Sequence, residues 1–142
     1  MIAELVCLAT AIFFEARGEP TVGQIAVGQV IMTRVNDHRY PNTVCDVVKE
    51  GYYYTWNPKM PIPDQCQFSF WCDQKPENID DPKAYEWAEE ISWGLLEGTL
   101  NIIDLTDGAT HYHAHYVMPS WTEMMTKTVR INDHIFYRLE MD

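Results

Sequence analysis

A corner between two helices is encoded in the stretch Ala11-Ile12-Phe13-Phe14-Glu15-Ala16-Arg17-Gly18-Glu19-Pro20. Before it, residues 2–16 carry apolar side chains on nearly every face, which is typical of a helix in the centre of a core. Gly18 ends that helix, and Pro20 suits the first turn of a second one that extends to about Asn36. The corner therefore places Glu15, Arg17 and Glu19 where two helices meet.

The composition is that of a globular protein of 142 residues. At this length roughly 68% of the surface of the unfolded chain can be buried, and hydrophobic residues make up 46% of the sequence. We therefore expect one domain that spans residues 1–142. The formal net charge of −11 argues against nucleic acid as a partner, because binding to its phosphate backbone depends on lysine and arginine.

A long irregular segment and a third helix follow the corner. Residues 37–81 show no sustained period and are interrupted by prolines and Gly51, so we expect an ordered, aromatic-rich groove wall with short turns. Asp81-Pro82 predicts the cap and first turn of the third helix. Its apolar stripe includes Trp87, and the helix is expected to end at Gly98.

A small antiparallel sheet is predicted near the C-terminus. Residues 110–117 alternate as a strand does, and Ser120-Trp121-Thr122-Glu123 has the capping-box spacing of a short helix. Residues 126–131 and 134–139 flank Asn132-Asp133 as the two strands of a hairpin would. Helices followed by a sheet indicate an α+β fold that is mainly helical.

Glu15 is the first candidate for acid catalysis. It follows the bulky Ala11–Phe14 run at the C-terminal end of a buried helix. Burial and the negative helix end both disfavour a charged carboxylate, so the pKa of Glu15 should be raised. A carboxyl that stays protonated can donate a proton to a glycosidic oxygen. The structural alternative is a carboxylate neutralised by Arg17 or by backbone donors, and Glu19 is explained by the positive start of the second helix.

Three histidines in the predicted strand suggest a rival chemistry. His111, His113 and His115 alternate with Tyr112 and Tyr116, so the histidines share one face. Such a face could supply ligands to zinc, as in a peptidoglycan amidase or peptidase. Side chains two residues apart on a strand are nearly 7 Å apart, however, and three from one strand rarely converge on one ion. Hydrogen bonding within a polar groove is the structural alternative.

A sugar-binding surface is the third candidate, in the stretch from Cys66 to Cys72. If this stretch is extended, Gln67, Ser69 and Trp71 share a face and offer an amide, a hydroxyl and an indole to a sugar ring. A non-catalytic carbohydrate-binding module would use the same surface. Ser69 lacks a nucleophile-elbow setting, a Cys66–His113 nucleophile pair has no local support, and simple packing of aromatics over the loop is the structural alternative.

The four cysteines leave the redox state open. Cys7 has the position of a helix-core residue, whereas Cys45, Cys66 and Cys72 lie in the loop-rich middle. Four cysteines allow three full pairings, and spacing does not select among them. Reduced thiols, as in an intracellular protein, and one disulfide between two of the middle three are the two alternatives.

A succession of short motifs resembles a known family. The motifs occur in one order along nearly the whole chain: the Ala11–Pro20 stretch, Gly23–Val27, Arg34-Val35, Tyr40–Cys45, Cys66–Phe70, Gly108–His113 and His134–Arg138. This order resembles the cell wall hydrolase family typified by spore-cortex-lytic enzymes. No single motif would be sufficient, but the succession is specific.

The resemblance implies a lysozyme-like domain that cleaves peptidoglycan glycan strands between N-acetylmuramic acid and N-acetylglucosamine. It implies a lytic transglycosylase that needs one catalytic group, carried over to Glu15, and no metal or other cofactor. The substrate-binding residues expected with it are Glu19, Gln67, Phe68, Ser69, Tyr112, His113 and Trp121. The partner is then the glycan strand, and we expect a monomer.

The start of the sequence bears on localisation. Residues 1–14 are mostly apolar but lack a basic n-region and a small-residue cleavage site, so we expect no signal peptide. The run is also too short to span a bilayer, which argues against membrane insertion. A lone catalytic domain of this kind resembles a phage endolysin held in the host cytoplasm until lysis. A bacterial origin would place it in the cell wall or periplasm instead.

Overall fold

Three long helices form the centre of the molecule. The computed structural model describes residues 2–140, in which α1 spans Ile2–Ala16, α2 spans Thr21–Val35 and α4 spans Pro82–Glu97. α1 packs against α2 and α4, and the short α3, Val44–Val48, packs against α1 and α2. The prediction of a helix buried on all sides is wrong for the first turns of α1, where Ile2 is 78% exposed. From Leu8 onward its apolar side chains fill the core.

α4 has the predicted ends. The Asp81 carboxylate accepts a hydrogen bond from the backbone N–H of Ala84 at 3.1 Å, and Gly98 ends the helix with a φ of +97°. Trp87 was expected on the buried stripe, but it is 44% exposed because its indole reaches outward to donate to Thr21 Oγ1. None of the helices within residues 2–140 combines the length and the apolar character needed to cross a membrane.

The segment expected to be irregular contains a hairpin. Here β1, Gly51–Tyr54, pairs antiparallel with β2, Asn57–Cys66, with register shifts along the pair. The prediction missed this two-stranded sheet because β2 contains three prolines, which cannot donate ladder hydrogen bonds and so break the usual strand pattern. α3 precedes the hairpin. Thr43 caps the N-terminus of α3, because its hydroxyl accepts a hydrogen bond from the backbone N–H of Asp46.

The C-terminal sheet matches its prediction in topology. Its strands are β3, His111–Ala114, β4, Thr126–Ile131, and β5, His134–Arg138, all antiparallel in the order β3-β5-β4. The β4–β5 turn contains Asn132 at a φ of +49°. β3 stops at residue 114, earlier than predicted, because the N–H of Val117 turns back to Ala114.

The short helix before β4 also differs from its prediction. Residues Ser120–Met124 form a 3-10 helix that begins after Pro119, with no side-chain cap. The predicted capping box does not form. Instead the Thr122 hydroxyl donates to the Pro119 carbonyl at 3.0 Å, which ties down the first turn.

Two disulfides join neighbouring elements. Cys66–Cys72 closes the loop after β2, in line with one of the two alternatives. Cys7–Cys45 lies outside both alternatives, although Cys7 packs against the helical core as expected. The packing of α3 on α1 brings the two Cα atoms to 5.2 Å, which is within disulfide range.

Candidate active site

Glu15 lies in the last turn of α1, facing β3. The Tyr112 hydroxyl donates a hydrogen bond to Glu15 Oε1. The Phe14 ring stacks on Phe70 at 5.2 Å, which fixes this turn of α1 against the 3-10 helix Ser69–Trp71. Tyr112 packs against both buried clusters of the protein, one around the helices and one around Phe136. The carboxyl group is thus held where the helices and the C-terminal sheet meet.

Burial controls the acidity of this pair. Desolvation raises the pKa of Glu15, while the hydrogen bond from Tyr112 and the positive charge of Arg34 act in the opposite direction and are smaller. The pKa of Tyr112 is raised well above its usual value, first by its own burial and then by the adjacent carboxylate. Tyr112 therefore remains a hydrogen-bond donor throughout the neutral range, and a raised pKa favours protonated Glu15, as the sequence predicts.

A buried arginine lies behind the carboxyl group. Arg34, on α2, is 4% exposed and donates from Nε to the Thr110 carbonyl at 2.8 Å. Its Nη1 lies 3.5 Å from Gln67 Oε1 and 3.9 Å from Glu50 Oε1. Burial raises the pKa of Glu50, and the positive charge of Arg34 partly offsets this. The proximity of Arg34 and Glu50 to this site was not predicted, because no local spacing in the sequence indicates that they lie near Glu15.

The Cys66–Cys72 loop does not present the predicted polar face. The disulfide closes a compact turn, so Ser69–Trp71 is a 3-10 helix and not an extended strand. Gln67 faces Arg34, and the Trp71 indole donates to the Tyr53 hydroxyl at 3.0 Å. Phe68 is buried, whereas Ser69 is exposed. The expectation that Gln67, Ser69 and Trp71 share one extended face is therefore wrong.

The three histidines have separate partners. His113 is buried, with Nδ1 2.7 Å from the Ala114 carbonyl and Nε2 3.0 Å from the Tyr137 hydroxyl. His111 Nδ1 lies 2.9 Å from Thr110 Oγ1. His115 is exposed and lies 3.7 Å from Asp133 Oδ1.

These contacts place the histidines in different surroundings. Burial and two nearby arginines lower the pKa of His111 to about 4. Trp121 packs against the rings of His111, His113 and Tyr137 at 5.2–5.8 Å, on the side of the sheet that the histidines were predicted to share. Among residues 2–140, no three His, Cys, Asp or Glu side chains form a group that could hold a metal ion.

The Glu19 carboxylate is hydrogen bonded to the β4–β5 turn. Its Oε2 accepts from Asn132 Nδ2 at 2.8 Å, and its Oε1 accepts from the backbone N–H of Asp133 at 3.2 Å. His134 Nδ1 lies 3.5 Å from Oε1. From the sequence, this carboxylate is explained by the start of α2 and is expected to contact substrate. The structure links it to the C-terminal sheet, and its contact with substrate stays a prediction.

The fold agrees with a match to a family model. The chain belongs to the cell wall hydrolase family, whose model matches residues 18–137. Among solved structures, the catalytic domain of the Bacillus cereus SleB protein superimposes with a TM-score of 0.66 at 25% identity, covering 97% of this chain and 91% of that one. The catalytic domain of the germination-specific lytic transglycosylase SleB from Bacillus anthracis superimposes with a TM-score of 0.64 at 26% identity, covering 95% of this chain and 93% of that one. The lysozyme-like α+β fold is thereby confirmed.

Relatives in sequence are spore cortex-lytic enzymes. That of Halalkalibacterium halodurans is 29% identical over 130 residues, which cover 91% of this chain and 33% of the relative. That of Bacillus subtilis is 46% identical over 48 residues, covering 34% of this chain and 16% of the relative. The chain thus spans about a third or less of the length of these relatives.

Proposed function

We propose that this protein cleaves the glycan strands of bacterial peptidoglycan between N-acetylmuramic acid and N-acetylglucosamine, acting as a lytic transglycosylase with Glu15 as its catalytic residue. The observation that carries the proposal is the carboxyl group of Glu15, whose pKa is raised and which accepts a hydrogen bond from the Tyr112 hydroxyl. Family membership and the similarity to a lytic transglycosylase domain support it.

The proposed reaction uses one carboxyl group twice. Protonated Glu15 donates its proton to the glycosidic oxygen as the bond to C1 of N-acetylmuramic acid breaks. The Glu15 carboxylate then takes the proton of the 6-hydroxyl of the same sugar, whose oxygen closes on C1. The products are an N-acetylglucosamine end and a 1,6-anhydro ring, and no water is consumed.

Each charge state of Glu15 has local support. Burial favours the protonated carboxyl in the first step. The Tyr112 hydroxyl and the positive charge of Arg34 stabilise the carboxylate that the first step leaves behind. The site can therefore hold the proton at the start and accept the negative charge afterwards.

A single-carboxylate mechanism agrees with the hydrogen bonds of Glu19. A hydrolase of the retaining or inverting type needs a second carboxylate across the scissile bond. Glu19 is hydrogen bonded to the β4–β5 turn, and Glu50 faces Arg34. The engagement of Glu19 favours the transglycosylase reaction, whereas Glu50, whose buried Oε1 has no hydrogen-bond partner among the described residues, is the carboxylate against which the fragment ends test it.

The remaining predictions extend the proposal to the chain as a whole. We propose that residues 1–142 form one catalytic domain that acts as a monomer on the cell wall. Light scattering on the purified protein measures its mass in solution and tests the monomer directly. Contacts with sugar stay predictions for the groove residues Gln67, Phe68, Ser69, Tyr112, His113 and Trp121. The origin of the protein as a phage endolysin also stays a prediction.

The decisive experiment compares Glu15→Gln with Glu86→Gln, a matched change at an exposed position on α4. Purified peptidoglycan is digested, and the fragments are identified by mass spectrometry. We expect anhydro ends from the native protein and Glu86→Gln, and a loss of about 10²–10⁴-fold for folded Glu15→Gln. Reducing ends would indicate a hydrolase and freed peptides an amidase. Near-native lysis by Glu15→Gln would refute the assignment of Glu15.

A further inference from the structure

Glu19 joins the helix corner to the C-terminal hairpin. Its side chain is 8% exposed although it lies in the connection between α1 and α2. Both carboxylate oxygens accept hydrogen bonds from the β4–β5 turn, one from the Asn132 amide and one from the Asp133 backbone. A nearly buried carboxylate with two such partners holds the turn at a defined place against the end of α1.

The anchored turn continues directly to the partner of Glu15. His134, the first residue of β5, pairs with Ala114 in β3, and its ring meets the Tyr112 ring edge-on at 5.0 Å. Tyr112 then donates its hydroxyl to Glu15. A continuous path of contacts therefore runs from Glu19 through the hairpin and Tyr112 to the carboxyl group four residues before it.

We propose that Glu19 is a positioning residue, which anchors the β4–β5 turn so that the Tyr112 hydroxyl stays on the carboxyl group of Glu15. This inference rests on the proposed role of Glu15. It assigns Glu19 a function without substrate contact, in place of the substrate contact predicted from the sequence. The hydrogen-bonded turn, and not a charge near the sugar, is then what Glu19 supplies.

The charged groups around the path are consistent with a role that depends on hydrogen bonding. Burial lowers the pKa of His134, with Glu19 and Asp133 acting against this and His113 adding to it, so its ring is neutral at and above neutral pH. The contact of His134 with Glu19 is then no ion pair in that range. At the other end of the path, Arg34 is the charged group that faces both Glu15 and Tyr112.

The test compares two substitutions at Glu19 and a control. In Glu19→Ala the turn loses both acceptors, so we expect the turnover rate on soluble glycan strands to fall about 10- to 100-fold. The alkaline limb of the rate should also move upward, because weaker donation from Tyr112 leaves the Glu15 carboxylate less stabilised. In Glu19→Gln the amide oxygen still accepts from Asp133, and a flipped Asn132 amide pairs with its NH₂, so most of the rate should be restored.

The control is Asp107→Asn, which removes a carboxylate bonded to Arg138 of β5 but with no contact to Tyr112 or Glu15. We expect native rates and an unchanged pH profile from it. If Glu19→Ala does not fold, Asn132→Gly replaces it, since glycine suits the φ of +49° and removes one donor. It should give a smaller loss with a shift in the same direction.

Three results would overturn the inference. A folded Glu19→Ala or Asn132→Gly protein with a native rate and pH limb would show that the anchor has no effect on Glu15. Equal losses in Glu19→Gln and Glu19→Ala would show that the negative charge matters, as for a second catalytic carboxylate. A raised KM with unchanged turnover would indicate substrate binding. Failure of the proposed function is separate, because it appears as activity in Glu15→Gln.

Discussion

Replacing Tyr112 with phenylalanine isolates the hydrogen bond to Glu15. The substitution removes one hydroxyl and keeps the ring, which packs against His134 at 5.0 Å and Phe136 at 5.7 Å. A hydrogen bond to a charged group contributes about 1.5–3 kcal/mol, and about 1.4 kcal/mol corresponds to one pH unit. Since the bond stabilises the Glu15 carboxylate, its loss should move the alkaline limb of activity upward by about 1–2 pH units.

The same substitution has a predicted signature in stability. The pKa of Glu15 is raised in the folded protein, so its contribution to stability is complete below the pKa of the unfolded chain and is lost as pH rises through the folded value. Tyr112→Phe raises that folded pKa further. The free-energy difference between native and variant proteins should therefore be larger at pH 8 than at pH 5, by about 1 kcal/mol or more.

Two measurements check these expectations. Rates of glycan-strand cleavage are determined from pH 4 to about pH 9, and urea unfolding is followed at pH 5 and pH 8. Native protein and the Asp107→Asn variant serve as references. An alkaline limb that moves downward, or an unfolding difference that shrinks with rising pH, would show that Tyr112 does not stabilise the carboxylate. The hydrogen-bond argument would then be wrong.

Three further outcomes are expected. Arg34→Met should lower the free energy of unfolding by about 3 kcal/mol in urea titrations. This is near the low end for breaking a buried ion pair, because the Glu50 side chain is partly exposed. An unchanged urea midpoint would contradict this. Reducing both disulfides should lower the melting temperature. Loop-closure entropy gives about 4 kcal/mol for Cys7–Cys45, with a separation of 38 residues, and about 2 kcal/mol for Cys66–Cys72, with a separation of 6. The same melting temperature with and without reductant would contradict this. Excess chelator should leave wall lysis intact because the strand histidines have separate partners, whereas loss and recovery with zinc would favour the amidase.

Elements with local signals were predicted from the sequence. Asp81-Pro82 and Gly98 bound α4 because a cap, an N-terminal proline and a left-handed glycine act through neighbouring atoms. The turn at Asn132 was found for a similar reason, since asparagine tolerates a positive φ. Both predictions needed no knowledge of the rest of the fold.

Elements that depend on tertiary contacts were missed. The β1–β2 hairpin contains prolines and register shifts that hide its period, and the Cys7–Cys45 bond exists because α3 packs on α1. At the candidate site, Glu15 was identified from its apolar neighbours along the helix. The approach of Arg34 could not be read from spacing, because its hydrogen-bond partners Thr110 and Gln67 lie 76 and 33 positions away.

The hydrogen bond between Tyr112 and Glu15 joins residues that are 97 positions apart. Contacts of such long range form late when the chain must close large loops, and a nascent chain emerges from its N-terminus. The helix that carries Glu15 is synthesised before β3, β4 and β5, and its carboxyl group meets its donor only after those strands have been synthesised and docked. The acidity proposed for Glu15 therefore depends on complete folding of the described domain: a partly synthesised or partly folded chain would contain Glu15 without the surroundings that raise its pKa.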